Sequence, residues 1–246
     1  MKAVLVTGAT SGIGRASAES LSQAGWWVMV AGRDQVRAAE TVDSLPGPGG
    51  HAIADLAHDD APAALVDATL EQAGRLDAVV NNAALHTLGT AAELRDSDLD
   101  MLLAVNLRAA IRLAAVAVRH MRDAGGGVIV NVSSEAGLVA VPGQLAYNVT
   151  KAGLVMLTRC IAVDHAADGV RAVSVCPGTT RTPLVDAAIE RAADPAAHEE
   201  WLASSRPANR LGTPGEIAAA IVFAASEEAS FMTGTEIVVD GGYTAT

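Results

Sequence analysis

The sequence predicts an α/β fold, with one doubly wound parallel sheet of about seven strands and helices on both faces. Short β-branched runs alternate with longer helical segments along all 246 residues, which is typical of repeated strand–helix–strand units. The strand-like runs are apolar without polar alternation, and this pattern is typical of parallel strands covered on both faces. Because no linker, repeat or low-complexity block interrupts the chain, we expect a single domain over residues 1–246.

Seven runs carry the strand pattern. In chain order they are Ala3–Val6, Trp26–Ala31, His51–Ala54, Leu76–Val80, Val128–Val132, Val170–Val175 and Glu236–Val239. The helices expected between them are Ile13–Ala24, Gln35–Leu45, Pro62–Ala73, Ser97–Arg122, Leu145–Ala166 and Thr213–Ala225. Pro177-Gly178 stops the sixth strand, and Thr213 is the expected N-cap of the last helix, with Pro214 at its first position. This order predicts a Rossmann-like sheet, in which ligands bind beyond the carboxyl ends of the strands.

The composition argues against several classes of function. With a formal charge of -11 and a pI near 4.9, the surface repels phosphate backbones, so nucleic acid and anionic membranes are poor partners. The longest apolar run, Ala109–Val118, is broken by Arg112 and is too short to cross a bilayer. The two cysteines make no disulfide framework, and no Cys/His spacing suggests a metal site. Because no signal-peptide pattern is present, we expect a cytoplasmic protein.

The segment Thr182–Arg210 departs from the strand–helix rhythm. It carries charges, prolines and Trp201, and it has no strand pattern. Because ligands bind beyond the carboxyl ends of strands in such folds, a long insertion after the sixth strand predicts a substrate lid, with Trp201 as an apolar wall. The alternative is an ordinary helical insertion at the surface, within which Trp201 packs.

A glycine-rich turn follows the first strand and opens the first helix. In the run 7–14, Gly8 permits the tight turn, Gly12 lets the backbone approach a pyrophosphate, and Gly14 permits close packing of helix on strand. The helix N-terminus then offers free N–H groups and the positive end of its dipole to phosphates. The residues expected to bind cofactor here are Gly8, Thr10, Ser11, Gly12, Ile13 and Gly14. A purely structural turn is the alternative.

These motifs resemble those of the short-chain dehydrogenase/reductase family. Thr-Gly-x3-Gly-x-Gly after the first strand is similar to that family's cofactor loop, and Tyr147-x3-Lys151 is similar to its catalytic motif. The resemblance extends from Val4 to Gly242. It implies a nicotinamide-dependent oxidoreductase with Tyr147 and Lys151 at both the catalytic and the cofactor site.

The Tyr147–Lys151 spacing fits the chemistry that the resemblance implies. Residues four apart on a helix share a face, so the phenol and the ammonium group point into one pocket. Hydride transfer at a carbinol carbon requires a proton to leave or join its oxygen, and an ordinary tyrosine with a pKa of about 10 is a poor base. A nearby ammonium and the positive ring of the oxidised cofactor favour the phenolate. The chain has only two tyrosines and two lysines, which makes a chance pair a weak explanation.

The resemblance implies two further catalytic residues. Ser134 lies 13 residues before Tyr147, at the family's position for the serine that polarises the substrate oxygen; the neighbouring Ser133 is the alternative. Asn106 matches the family's helix asparagine, which holds a water that relays protons through Lys151. The alternative for Asn106 is an ordinary polar residue at the surface.

The end of the second strand bears on which cofactor binds. An acidic residue there would accept hydrogen bonds from the ribose 2′-hydroxyl and repel a 2′-phosphate. The resemblance places that position at Gly32, and the next residue, Arg33, can pair with a 2′-phosphate. We therefore predict NADP(H) over NAD(H). Asp34 next door and Ser11, where many NADP-preferring relatives carry a base, count against this.

The resemblance assigns three further groups of cofactor contacts. Asp55 and Leu56 follow the third strand, where an acidic residue meets the adenine amino group; a plain helix N-terminal aspartate is the alternative. Asn82 and Ala83 end the fourth strand beside the ribose, and Ala84 stands where the family has glycine. The loop that holds the nicotinamide carboxamide would contribute Pro177, Gly178, Thr180 and Thr182.

The function expected from these residues is reversible hydride transfer between NAD(P)(H) and a carbonyl or secondary alcohol. A small alcohol, sugar or steroid is favoured as substrate because the acidic chain shows no obvious basic patch for an acidic carrier protein. A 3-oxoacyl thioester reductase is the alternative, and a non-catalytic dinucleotide-binding regulator is the rival of another class. His86 and Glu135 flank the expected pocket, and each either contacts substrate or is a surface polar residue. The family's habit also predicts a homotetramer or homodimer formed through Leu99–Val118 and Val238–Gly242.

Overall fold

A computed structural model describes residues 1–246 and confirms the predicted fold class. All seven strands form one sheet with the order β3-β2-β1-β4-β5-β6-β7, and every neighbouring pair is parallel. Their bounds are β1 (Ala3–Thr7), β2 (Trp27–Gly32), β3 (Gly49–Ile53), β4 (Ala78–Asn81), β5 (Gly127–Val132), β6 (Val170–Pro177) and β7 (Thr235–Val239). The strand order reverses between β1 and β4, and ligands of such sheets bind at this point.

Nine α-helices surround the sheet. They are α1 (Gly12–Gln23), α2 (Gln35–Asp43), α3 (Ala61–Ala73), α4 (Asp96–Leu102), α5 (Ala109–Asp123), α6 (Leu145–His165), α7 (Pro183–Glu190), α8 (Pro195–Ser204) and α9 (Pro214–Ala225). Helices α1, α2 and α9 cover one face of the sheet, and α3, α5 and α6 cover the other. Thr213 caps α9 through a complete capping box with Glu216, as its sequence indicates.

Alternate residues of each strand feed two separate cores. Val4 and Val6 belong to the core beneath α1 and α9, whereas Leu5 belongs to the core beneath α3 and α5. All three side chains are fully buried, and burying each of them contributes about 1.5–3 kcal/mol. This two-sided burial explains why the strands show no polar alternation.

Two strands extend beyond their expected bounds for reasons that their pairing explains. The third strand begins at Gly49 rather than at His51, because Gly49 and Gly50 pair with Val28 and Met29 of β2, although glycine is a poor strand former. The sixth strand continues to Pro177, which pairs with Val239 of β7. A proline is tolerated there because β5 has already ended, so no ladder bond needs its missing N–H.

The long helix expected over Ser97–Arg122 is interrupted. Helix α4 runs into a π-helical turn, Leu103–Arg108, before α5 begins. Taken together, Asp96–Asp123 is long and apolar enough to span a membrane by length and composition, so the expectation that no run reaches that length is wrong. In the structure this helix lies on the sheet, with Leu113, Ala117 and Met121 buried.

A buried polar chain connects the ends of β4 and β5 to α6. Asn81 donates to the Oδ1 of Asn131 at 2.9 Å, and Asn131 donates to the hydroxyl of Thr158 at 2.8 Å. Thr158 in turn donates to the carbonyl of Leu154 at 2.9 Å. Because each donor has a partner, this chain fixes α6 against the sheet without an unsatisfied buried group.

We predict that Gly14→Ala destabilises the protein by about 1–3 kcal/mol, because overpacking at a rigid contact has this cost. A Cβ at Gly14 would lie 2.2 Å from the Gly8 carbonyl oxygen and 2.4 Å from Nδ2 of Asn82. The matched control is Gly215→Ala, whose Cβ would meet nothing within 4 Å in the first turn of α9. The control should change stability by less than about 1 kcal/mol, in the stabilising direction. Urea unfolding of both variants measures this, and equal stability of the two would contradict the packing argument.

Candidate active site

The loops at the carboxyl ends of the central strands meet above the sheet. The loop after β1 contacts the start of α7, since a Cβ at Gly12 would lie 3.2 Å from Cγ2 of Thr182. It also contacts the end of β4, where a Cβ at Gly8 would lie 2.9 Å from Cα of Ala83. Segments far apart in sequence therefore form one continuous cleft edge.

Asn82 holds the glycine-rich loop in place. Its side-chain amide donates to the carbonyls of Thr7 at 2.9 Å and Gly8 at 3.3 Å. The Thr7 hydroxyl accepts from the backbone N–H groups of Asn82 at 3.0 Å and Ala83 at 3.1 Å. The exposed methyl of Ala84 does not disturb this arrangement. In the free protein, the side chain of Asn82 thus stabilises the glycine-rich loop.

The start of α1 has the features of a phosphate site. Gly8 and Gly12 have φ values of +64° and +52°, a backbone region that favours glycine. Ser11 is exposed, its side chain caps no helix N–H, and the first turn contains no acidic residue. Ile13 packs against the core beneath α1. Free N–H groups and the positive helix end therefore face the cleft, which fits the pyrophosphate of a dinucleotide.

Gly32, at the end of β2, is packed against Thr10. A Cβ at Gly32 would lie 2.5 Å from Cγ2 of Thr10, so the threonine fills the space that an acidic side chain would need. Arg33 is exposed and forms no ion pair. Asp34 instead caps α2, accepting from the backbone N–H of Arg37 at 3.1 Å. The Asp34 carboxylate, which counted against a 2′-phosphate, is therefore engaged in capping α2.

Asp55 and Leu56 lie just beyond β3, and both are half-buried. Asp55 accepts from the backbone N–H of Ala57 at 3.0 Å. Helix α3 begins only at Ala61 and has Asp60 at its N-cap position. The reading of Asp55 as a helix N-terminal aspartate is therefore wrong, and its carboxylate stabilises a turn at the cleft edge.

Tyr147 and Lys151 lie in the first two turns of α6, on the face toward the end of β5. The Lys151 Nζ is 5.5 Å from the centre of the Tyr147 ring, and it donates to the Val132 carbonyl at 2.8 Å. Lys151 is only 2% exposed, whereas Tyr147 remains half-buried. The spacing of four residues thus brings the two groups together as expected.

Both groups have perturbed pKa values, and burial is the main cause. Burial lowers the pKa of Lys151 to about 8 and raises the pKa of Tyr147 to about 12. The Ser134 hydroxyl lowers the pKa of the phenol, while the charge of Glu135 raises it. Protein surrounds the phenol, although its ring stays open to the cleft. In the free protein, desolvation therefore outweighs any effect of Lys151, contrary to the expectation of a depressed pKa, and Tyr147 is a protonated acid at neutral pH.

Ser133 and Ser134 have different surroundings. The Ser133 hydroxyl is buried and donates to the carbonyl of Lys151 at 2.8 Å, so it is a structural bond. The Ser134 hydroxyl accepts from the N–H of Ala136 at 3.1 Å and keeps its proton for another acceptor. The same hydroxyl lowers the pKa of the Tyr147 phenol. This favours Ser134 as the donor to a substrate oxygen.

Asn106 is buried within the π-helical turn, so its reading as a surface residue is wrong. Its amide exchanges two hydrogen bonds of 2.8 Å with the backbone of Leu85 and donates to the Thr150 hydroxyl at 3.3 Å. These bonds tie the loop after β4 to α6. Because the side chain is occupied, only the backbone remains for the predicted water relay, and π-turns are frequent at functional sites.

The loop after β6 closes the opposite side of the cleft. Thr180 is buried and donates to the carbonyl of Gly178 at 2.9 Å, while Thr182 caps α7. The Thr179 hydroxyl is the one that bonds to another segment, because it accepts a hydrogen bond from the buried Arg206 guanidinium. Neither Thr179 nor Arg206 was identified from the sequence, since the partners lie 27 residues apart and match no local motif.

Two other residues near the phenol differ in their surroundings. The His86 ring meets the Tyr147 ring edge-on, with centroids 4.8 Å apart, and burial lowers the pKa of this histidine. Glu135 is buried beside Arg206. Both flank the site as expected, and neither is a surface polar residue. No group of three or more metal-ligating side chains occurs in residues 1–246.

The segment Thr182–Arg210 contains two helices, α7 and α8, which contact one another. Trp201 on α8 is 61% exposed and stacks on His198 one turn earlier, with centroids 5.7 Å apart. Apolar side chains are also exposed at Leu184 on this side and at Leu138 in the loop after Ser134. The segment therefore presents exposed apolar side chains.

Comparison with known proteins gives one consistent result. Residues 8–244 match the family model described as enoyl-(acyl carrier protein) reductase. An uncharacterized oxidoreductase of Thermotoga maritima is 42% identical over 99% of this chain and 98% of its own. Cis-4-hydroxycyclohexanecarboxylate dehydrogenase of Sinomonas cyclohexanicum is 39% identical over 99% and 97%, respectively. A solved structure described as a short chain dehydrogenase/reductase family protein is 36% identical, with a TM-score of 0.90 over 100% of this chain and 98% of that one.

Proposed function

The chain belongs to the short-chain dehydrogenase/reductase family of nicotinamide-dependent oxidoreductases, which act on alcohols and carbonyls, and we propose that its Ser134, Tyr147 and Lys151 form the catalytic centre of a carbonyl reductase and secondary-alcohol dehydrogenase. The observation that carries this proposal is the convergence of the three side chains. The Lys151 ammonium lies 5.5 Å from the centre of the Tyr147 ring, and the Ser134 hydroxyl lowers the pKa of the same phenol.

The cofactor-binding surface would be the cleft edge described above. The glycine loop and the N-terminus of α1 would hold the pyrophosphate, and Asp55 and Leu56 would contact the adenine. Asn82 and Ala83 would border the ribose, while Pro177, Gly178, Thr180 and Thr182 would line the nicotinamide side. The bound nicotinamide supplies or accepts the hydride. A Cβ at Gly8 or Gly14 would meet Ala83, Asn82 or the Gly8 carbonyl, so these glycines keep the loop packed tightly against the end of β4.

In the reduction direction, Tyr147 donates the proton. Its phenol is protonated in the free protein, because burial raises its pKa to about 12. Ser134 donates a second hydrogen bond to the carbonyl oxygen, where negative charge develops. Lys151 would hold a ribose hydroxyl of the bound cofactor, and its positive charge would stabilise the phenolate that remains. Asn106 supports reprotonation through water at its backbone, along the path that ends at the Lys151 ammonium.

In the oxidation direction, Tyr147 must act as a base. Its pKa then has to fall well below about 12, which requires positive charge near the phenol. Lys151, held 5.5 Å from the ring, supplies one such charge, and the oxidised nicotinamide brings the other. The proposed reaction is therefore reversible, and the charge of the bound cofactor selects the role of the phenol.

We propose a small apolar ketone or secondary alcohol as substrate. The exposed apolar side chains at Leu138, Leu184 and Trp201 favour an apolar ligand, and the relative from Sinomonas cyclohexanicum is named for a cyclic substrate that carries a hydroxyl and a carboxylate. Thr182–Arg210 would be the lid over this ligand. A 3-oxoacyl thioester remains the alternative substrate, and the chain's charge of -11 disfavours docking of an acidic carrier.

The proposed assembly is a homodimer or homotetramer in the cytoplasm. Exposed apolar side chains mark the expected helix at Met101 and Ile111 and the expected strand at Val238. Helix α6 adds Met156 and Val163, which are 54% and 82% exposed. Apolar faces of this kind are typical of surfaces buried between subunits.

We predict that the purified protein oxidises NADPH with cyclic and aliphatic ketones, and that Tyr147→Phe lowers kcat by at least about 100-fold, because it removes the proposed general acid. Ser134→Ala should also lower kcat by about 10- to 100-fold. The matched control is Ser133→Ala, which loses the bond to the Lys151 carbonyl. It should lower the free energy of unfolding and reduce kcat less than Ser134→Ala does. Cofactor absorbance across a carbonyl panel, with a 3-oxoacyl thioester included, measures these rates.

Two outcomes would contradict this assignment. Turnover that survives Tyr147→Phe would refute the role of the phenol. Tight cofactor binding with no turnover on a broad panel would favour the dinucleotide-binding regulator instead.

We propose NADP(H) as the preferred cofactor. Gly32 provides no acidic group, and Thr10 occupies the space beside it. Arg33 is exposed without an ion-pair partner, whereas the neighbouring Asp34 is engaged in capping α2. A guanidinium free to meet a 2′-phosphate is the main support for this choice.

We predict that Arg33→Ala weakens NADPH binding by about 10- to 100-fold and leaves NADH binding nearly unchanged, because only NADPH carries the 2′-phosphate. The control is Arg37→Ala, an exposed arginine in the first turn of α2 whose Nε lies 3.6 Å from Oδ2 of Asp34. This control should alter neither affinity by more than about threefold. Fluorescence titration of both cofactors measures the effect, and equal losses for NADPH and NADH in Arg33→Ala would refute the assignment.

A further inference from the structure

A buried ion pair lies behind the candidate site, between Glu135 and Arg206. The two residues are 6% and 5% exposed, and Oε1 of Glu135 accepts from Nη2 of Arg206 at 2.8 Å. Glu135 directly follows Ser134 in the chain, and Arg206 lies two residues beyond the end of α8. The pair therefore joins the loop of the catalytic serine to the end of the proposed lid.

Arg206 also connects three other parts of the structure. Its guanidinium donates to the Thr179 hydroxyl in the loop after β6, to the carbonyl of Leu202 in α8, and to the Ser205 hydroxyl at 3.0 Å. Its central carbon lies 5.3 Å from the centre of the Tyr243 ring in the C-terminal turn. One side chain thus holds the nicotinamide-side loop, the lid and the C-terminal turn together.

Glu135 lies directly under the same loop. A Cβ at Gly178 would stand 2.8 Å from Oε2 of Glu135 and 2.7 Å from Cα of Asp240, so the glycine backbone rests on the carboxylate. This Oε2 atom has no hydrogen-bond partner, and neither does Nε of Arg206, although both are buried. Each unsatisfied buried group costs about 1–3 kcal/mol. The pair is therefore not arranged for stability alone.

The ion pair persists at neutral and higher pH, and it is lost in mild acid when Glu135 is protonated. Burial raises the pKa of Glu135 to about 6, the charge of Arg206 opposes this, and that of Asp240 adds to it. Asp240 stays ionised, since bonds from Thr244 and Gly242 outweigh its own desolvation and hold its pKa below the usual value. The Glu135 carboxylate is thus ionised at pH 7 and becomes neutral in mild acid.

We propose that Glu135 and Arg206 are positioning residues for hydride transfer, fixing the Ser134 hydroxyl, the Gly178-Thr179 loop and the base of the lid relative to one another. The inference rests on the proposed function and adds two residues to it. A buried ion pair can often be replaced by apolar residues of similar volume without loss of stability, whereas removing one partner destabilises strongly. This difference separates a positioning role from a purely structural one.

The test compares the single variant Arg206→Met with the double variant Glu135→Leu/Arg206→Met. The single variant leaves a buried carboxylate unpaired and should unfold at a clearly lower temperature. The double variant should regain thermal stability and NADPH affinity, yet its kcat should stay about 10- to 100-fold below wild type, because small misplacements of reacting groups have effects of this size. A double variant that regains both stability and kcat would overturn the proposal.

A third variant, Arg206→Lys, keeps the positive charge but lacks the planar fork, whose Nη2 contacts Glu135 and Thr179 while its Nη1 contacts Leu202 and Ser205. It should fold, keep its KM within about threefold and lose kcat by about 10-fold. The acidic limb of its pH–rate profile should also move from that of wild type, because the carboxylate that titrates near pH 6 has a changed partner. Wild-type kcat and pH profile in Arg206→Lys, or failure of every variant to fold, would assign the pair a structural role and overturn the proposal.

The failure of the proposed function is distinguishable from the failure of this inference. Wild-type protein that turns over no carbonyl would refute the function. The emission of bound NADPH would then still decide the positioning role, since it reports the surroundings of the nicotinamide. A changed emission in folded Arg206→Lys supports the role, and an unchanged emission overturns it.

Discussion

The rest of the site depends on the burial of one positive charge, the Lys151 ammonium. Removing a cation from water is costly and lowers its pKa, here to about 8. The surrounding structure limits that cost. Strand β5 ends so that the Val132 carbonyl accepts a bond of 2.8 Å from Nζ, Ser133 fixes the Lys151 backbone, and α6 places Tyr147 one turn earlier. The buried Asn131–Thr158 bond holds that helix on the sheet.

The electrostatics of this centre are incomplete without its cofactor. In the free protein, desolvation keeps the Tyr147 phenol protonated, even with an ammonium 5.5 Å from its ring. A neutral reduced nicotinamide leaves that acid in place, whereas an oxidised one adds the second positive charge that a phenolate requires. In the proposed mechanism, the direction of reaction and the protonation state of Tyr147 are thus linked through the charge of the cofactor. In our proposal, the Glu135–Arg206 pair positions the Ser134 hydroxyl through segments that lie far from Ser134 in sequence.

Features that depend on residues close together in the sequence could be predicted from it, and those that depend on distant partners could not. The strand runs, the glycine loop and the Tyr147–Lys151 pair follow from apolar runs and short intervals, whereas the spatial order of the strands came only from the structure. The Glu135–Arg206 pair joins residues 71 positions apart, so no local pattern reveals it. Strand β3 begins at a glycine whose strand conformation comes from pairing with β2 rather than from its own propensity. The raised pKa of Tyr147 likewise depends on burial, which a motif does not encode.

The most direct test of the central claim is a titration of the Tyr147 phenol itself. The chain has only two tyrosines, so Tyr243→Phe leaves Tyr147 as the only one, and ultraviolet difference absorption then reports its ionisation. Without cofactor, we expect no tyrosinate below about pH 10, since the pKa of Tyr147 is about 12. With saturating NADP⁺, the pKa should fall by about three units, because a second cation then lies near the phenol. The same pKa with and without NADP⁺ would contradict the proposal that cofactor charge and Lys151 together activate Tyr147.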